Sequence, residues 1–192
     1  MLVYDAPVVC EKSLSRIAVV LMICVHGIAF ANTRQTLDQV SFITRFYRCY
    51  LDYQKLKHPK EQSAEKFCLS QYPLFSQDAQ KLLNANQEAC LPFKGEVCGF
   101  GANADMFLDA QDFDDKLNFK NSGFKAHQVS KDTVEVEFLL FPNRAADKEA
   151  RRIQFQMTKD RTGWRVNDII YKNGNETSMR KLIENEMKGL KK

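Results

Sequence analysis

TVEVEFLLF, residues 133–141, alternates apolar and polar side chains so strictly that a strand is the natural reading, with Val134, Val136, Phe138 and Leu140 on one face. The pattern repeats downstream in RRIQFQMTK, residues 151–159, where Ile153, Phe155 and Met157 oppose Arg152, Gln154 and Gln156. WRVNDIIY, residues 164–171, extends it with Trp164, Val166 and Ile170 inward, after a hairpin turn at DRTG, residues 160–163. FKAHQV, residues 124–129, supplies a further strand upstream. One wet face and one dry face on each segment imply an antiparallel sheet.

Working outward, the apolar period is 3.6 before about residue 117 and 2 after it. Residues 37–57 read as a helix, with Leu37, Val40, Ile43, Tyr47, Tyr50 and Leu51 on one face and Phe42 and Phe46 widening it. Lys57, His58 and Pro59 break that helix, and Glu61 to Leu69 starts a second. Ser76 can cap a third helix carrying Ala79, Leu82 and Leu83. TSMRKLIENEMKGLKK, residues 177–192, closes the chain as a helix with Met179, Ile183, Met187 and Leu190 inward. Helices, then consecutive strands, then a helix define an α+β domain.

The first 31 residues carry a different message. Lys12 and Arg16 precede an apolar run from Ile17 that ends in Ala29-Phe30-Ala31. Positive region, apolar stretch and A-x-A box make a secretory signal peptide, with Ala29 and Ala31 as the cleavage box and Asn32 as the first mature residue. His26 and Gly27 interrupt the run, and a membrane span needs roughly 20 apolar residues. Bulky Ile23 before Cys24 argues against a lipid-modified cysteine. Residues 32–192 are expected as one exported, periplasmic α+β domain without stable membrane insertion.

Two acids and two bases leave with the leader, so the net charge of +4 is unchanged. That excess is too small and too dispersed for the basic stripe of a nucleic-acid binder. Four cysteines remain, and export makes disulfides the natural reading. An antiparallel helical hairpin about the break at residues 57–59 brings Cys49 beside Cys68; Cys90 and Cys98 then close the LPFKGEV loop. Intervals of 18, 21 and 7 residues between successive cysteines do not suit zinc, whose sites prefer close C-x2-4-C pairs.

Catalytic templates are missing: no G-x-S-x-G, H-E-x-x-H, P-loop or G-x-G-x-x-G occurs. His58 lies in a charged turn and His127 inside an alternating strand, a setting more usual for a structural histidine. NADMFLDAQDFDD, residues 103–115, crowds five aspartates around two phenylalanines. Its spacing does not fit a calcium loop of the EF-hand type, and a glycosidase-like carboxylate pair would need contrasting burial. A cluster of turns and caps is the simpler reading, because aspartate favours local side chain to backbone bonds. No catalytic or metal-ligating residue is singled out, and no cofactor is expected.

SFITRFYRCYLDY, DMFLDAQDFDD and GWRVNDI, in that order, resemble a family of bacterial envelope proteins of formerly unknown function. The resemblance spans roughly residues 40–187; Met106 stands where that family usually has proline, and the four cysteines are extra. It implies a nuclear-transport-factor-2-like fold, with helices against a curved antiparallel sheet around a cone-like pocket. Phe46, Tyr47, Tyr50 and Leu51 would pack under the sheet, and Ala110, Gln111 and Asp112 would fix the pocket mouth. It also implies a partner in the envelope: a toxin, for an immunity protein, or a subunit of a secretion or efflux complex, for an accessory protein. A carrier or enzyme using the pocket would place Tyr50 and Asp168 inside it. Tyr50, Asp109, Gln111, Asp112 and Asp168 are thus the candidate partner or pocket contacts.

Overall fold

In a computed structural model of the chain, residues 39–53, 56, 62–93, 97–144 and 150–190 are described. The leader, its cleavage residues Ala29, Ala31 and Asn32, and the helix break at 57–59 lie outside them. The strands are β1 (Lys125–Ser130), β2 (Thr133–Leu139), β3 (Ala150–Asp160), β4 (Gly163–Tyr171) and β5 (Thr177–Ser178). They lie side by side in sequence order, each antiparallel to the next. Alternation therefore translates directly into layers: Val134, Val136, Phe138, Ile153, Phe155 and Met157 are all buried, while Arg152 and Gln156 face outward. On the outer face Glu137 meets both Lys125 and Arg152 at 3.5 Å, exposed pairs worth little individually. Across β1 and β2, His127 Nε2 stands 3.6 Å from Glu135.

β4 departs from simple alternation. Gln156 faces Asp168 but Met157 faces Val166, so Asn167 is an extra, bulged residue. A slip of one residue reverses every later side chain. Ile169 and Tyr171 are buried in consequence, whereas Ile170, expected inward, turns away and is half-buried. Beside the bulge, Val166 donates its N–H to the Leu74 carbonyl and its own carbonyl accepts from the Ser76 N–H, both at 2.8 Å, which docks the segment leading into the third helix.

The helices are α1 (residues 39–51), α2 (Ala64–Gln71), α3 (Gln77–Cys90) and α4 (Met179–Gly189). Each of the last three starts with a serine whose hydroxyl accepts an amide of the first turn: Ser63 from Lys66, Ser76 from Ala79 and Ser178 from Lys181. Three helix boundaries differ from the periodic reading, the first being the start of α2 at Ala64, after the Ser63 cap, where a start at Glu61 is expected. α1 gives way to a turn at Asp52 instead of continuing to residue 57, and Thr177 and Ser178 pair with β4 as a strand before α4 begins. Among the described residues, no helix is long and apolar enough to cross a membrane.

One hydrophobic core joins these layers. Tyr47 of α1 meets the sheet, its ring 5.6 Å from Phe138 and 5.9 Å from Phe155. Phe46 and Tyr50 turn instead toward Phe107, at 4.6 and 5.1 Å. Fully burying each such ring contributes on the order of 1.5–3 kcal/mol. A disulfide from Cys49 to Cys68 ties α1 to α2, and one from Cys90 to Cys98 ties the end of α3 to the following loop.

These bridges close loops of different length, with sequence separations of 19 and 8. Replacing Cys49 and Cys68 together by alanine should lower the unfolding free energy by about 3 kcal/mol, and replacing Cys90 and Cys98 by somewhat less, about 2.5 kcal/mol. Urea titration of the two variants checks both the size and the order.

Candidate functional site

The aspartate-rich stretch folds back on itself. The Asp105 amide donates to the Ala110 carbonyl at 2.9 Å and the Asp109 amide to the Asp105 carbonyl at 2.8 Å, closing residues 105–110 into a loop. Inside it, Asp105 Oδ1 accepts the amides of Phe107 and Leu108, both at 2.9 Å. These bonds satisfy backbone donors that the loop would otherwise bury unpaired. Asp109 occupies the left-handed region at φ 51°, which aspartate tolerates better than bulkier residues. Its Oδ2 accepts from Asn173 Nδ2 at 3.1 Å.

Three tyrosines hold this loop against the body. Tyr50 donates its hydroxyl to Asp105 Oδ2, Tyr47 donates to the Phe107 carbonyl at 2.7 Å, and Tyr171 donates to the Met106 carbonyl at 3.2 Å. α1 supplies the first two and the end of β4 the third. Phe107 is fully buried as a result, flanked by Phe46, Tyr50 and Phe75. Burial drives all three phenol hydroxyls above the ordinary tyrosine range, and the Asp105 charge pushes each the same way. They stay protonated and keep donating.

A second network lies nearby. Buried Asn86 of α3 donates to Glu186 Oε2 of α4 at 2.7 Å and accepts the Phe100 amide at 2.6 Å, while Glu186 Oε1 accepts the Gly99 amide at 2.8 Å. This clamp fixes the loop after Cys98 between two helices. The ligand atoms of Cys90, Cys98 and Glu186 lie within 4.8 Å of one another, but both sulfurs are spent in a disulfide, so no thiolate is available to a metal.

The candidate residues separate into distinct settings. Tyr50 and Asp109 belong to the closed loop and its supports. Gln111 and Asp112 stand exposed just beyond it, next to the buried Ala110. Asp168 is only 7% exposed although it sits on the outer side of β4. The start of α4 covers it: Asp168 Oδ1 accepts the amides of Ile169 and Arg180, at 2.9 and 3.1 Å. Tyr50 and Asp168 thus serve different hydrogen-bond networks. Asp105, Tyr171, Asn86 and Glu186 carry the site's geometry without having been singled out by the sequence.

Comparison with known proteins bears on the fold. A crystal structure of a protein of unknown function from Bacteroides thetaiotaomicron VPI-5482 superposes with a TM-score of 0.52, covering 76% of this chain and 98% of that one. The two share a fold. Their sequences are 16% identical, so the likeness extends no further. No family model and no curated protein matches the chain.

Glu65, in the first turn of α2, provides an electrostatic readout of the site. Burial raises its carboxyl above the ordinary value, and the Asp105 charge raises it further. A carboxyl that ionises less readily folded than unfolded gives stability below its unfolded value that is lost as pH climbs through the folded one. Glu65→Gln should therefore gain stability relative to the parent near about pH 7 and lose that advantage near about pH 3.5, where both states of the parent carry the proton. Thermal melts of the two proteins across this range check the sign.

Proposed function

We propose that this chain is an exported, periplasmic interaction protein, built on a nuclear-transport-factor-2-like body, that works by binding another envelope protein. An immunity protein that occludes an envelope-targeting toxin is the specific form of that role. The observation that carries the reading is the pair of disulfides: both cysteine pairs of the mature region are joined, and such bridges persist in oxidising compartments. The leader-like first 31 residues point the same way. So does the way the conspicuous carboxylates are used, since Asp105, Asp168 and Glu186 each accept two or more donors from the protein itself. A body braced in this manner loses little entropy on docking, which suits tight recognition.

Expression of the full chain with an affinity tag in a bacterial host, followed by chemical crosslinking in the periplasm, tests the proposal. The purified protein should begin at Asn32 and bring down one stoichiometric envelope protein. A toxin would fix the immunity role, a secretion or efflux subunit the accessory role. An intact amino terminus with four titratable thiols would overturn the compartment, and a correctly processed protein that captures nothing beside its genomic neighbours' products would overturn the partner.

A further inference from the structure

A recess of about 310 Å³ opens between residues 99–106, the end of β4 and the outer side of α4. Phe100, Met106, Tyr171 and Leu182 give it apolar walls, and its carboxylates are Asp105, Asp109 and Glu186. Among the described residues, no lysine, arginine or histidine lines it, although the chain as a whole carries +4. Among the described residues, the donors to these carboxylates are all neutral: backbone amides, the Tyr50 hydroxyl and the side-chain amides of Asn86 and Asn173. Among the described residues, none of the three is ion-paired. Three negative charges beside low-dielectric walls focus an uncompensated potential into the recess. The Tyr171 hydroxyl registers it, being raised by burial and then by Asp109.

The walls are also shaped for a particular kind of cation. Phe100 and Tyr171 stand with ring centroids 6.4 Å apart and planes at 41°, offering aromatic surface of the sort that attracts ammonium groups. A hard metal ion would require six or more converging oxygens, whereas here Asp105 and Glu186 have both oxygens engaged and the remaining wall is largely apolar. An alkylammonium needs one or two acceptors and apolar contact for its body. The volume lies at the lower end of ligand pockets, which begin at about 300 Å³.

We propose that this recess binds a small organic cation, an ammonium group carried on a short apolar body, with the charge beside Asp109 and the body against Phe100, Met106 and Leu182. This goes beyond the interaction role, because it needs no protein partner and is tested on the purified, disulfide-intact protein alone. Phenethylammonium serves as the probe and 3-phenylpropionate, similar in shape and opposite in charge, as its control. Calorimetry and amide chemical shifts should report saturable one-site binding of phenethylammonium, with shifts centred on residues 99–106 and Leu182, and no saturable binding of 3-phenylpropionate.

Asp109→Asn should keep the fold, since asparagine tolerates the same backbone conformation and retains an acceptor for Asn173, yet weaken phenethylammonium about fivefold, the scale of one partly exposed charge contact. Leu182 is 39% exposed, so Leu182→Arg should fold and abolish binding by filling the recess with a cation of its own. Equal binding of the two probes, no binding of phenethylammonium, or unchanged affinity in a folded Asp109→Asn or Leu182→Arg protein would overturn the proposal.

Discussion

The carboxylate of Asp105 is the constraint on which the helical half of the molecule depends. Phe107 has to be buried to complete the core, yet it sits in a loop whose backbone lacks sheet or helix partners. Burying an amide unpaired costs on the order of 1–3 kcal/mol. Asp105 removes that cost for two successive amides and then offers its second oxygen to Tyr50. The same contact tethers α1, so a polar bond and an aromatic cluster are satisfied by one placement of the loop. Tyr47 and Tyr171 add two more hydroxyl bonds to carbonyls of the same loop.

Around this point the remaining elements fall into place by ordinary packing. The disulfide at Cys49 fixes α2 against α1, three residues after Phe46 and next to Tyr50, whose rings stack. The bulge at Asn167 reverses the end of β4, which turns Tyr171 inward to reach Met106 and leaves Asn167 and Asp168 to receive the start of α4. α4 in turn brings Glu186 to Asn86 and completes the clamp on Gly99 and Phe100. The acidic stretch thus fulfils a structural duty, and the recess beside it inherits its negative charge from groups placed for folding.

Much of this was legible in the residues, and the exceptions have physical reasons. Alternation in residues 133–141 and 151–159 named the buried face correctly because a period of two leaves no choice in a regular antiparallel strand. It misplaced Ile170, since a bulge is set by what packs beside the strand, here the segment at Leu74 and Ser76, and leaves no local mark. Ser76 was readable as a cap because capping is local; the end of α1 was not, because apolar residues continued past Leu51 to Leu56. Within the aspartate cluster, composition pointed to turns but could not rank five similar residues. Asp105 is set apart from Asp112 by accepting the Phe107 and Leu108 amides and by facing Tyr50, a contact across 55 positions. The Asn86 and Glu186 pair, 100 positions apart, carries no sequence signal at all.

Native-state hydrogen exchange at the Phe107 and Leu108 amides tests most directly whether the aspartate loop is part of the cooperative core. Both should exchange only through global unfolding, with protection matching central amides of β3 and β4 and falling together with them in denaturant. Exchange of these two amides at the rate of exposed loops, while the sheet stays protected, would show that Asp105 does not hold the loop in place and that its carboxylate is free for another task.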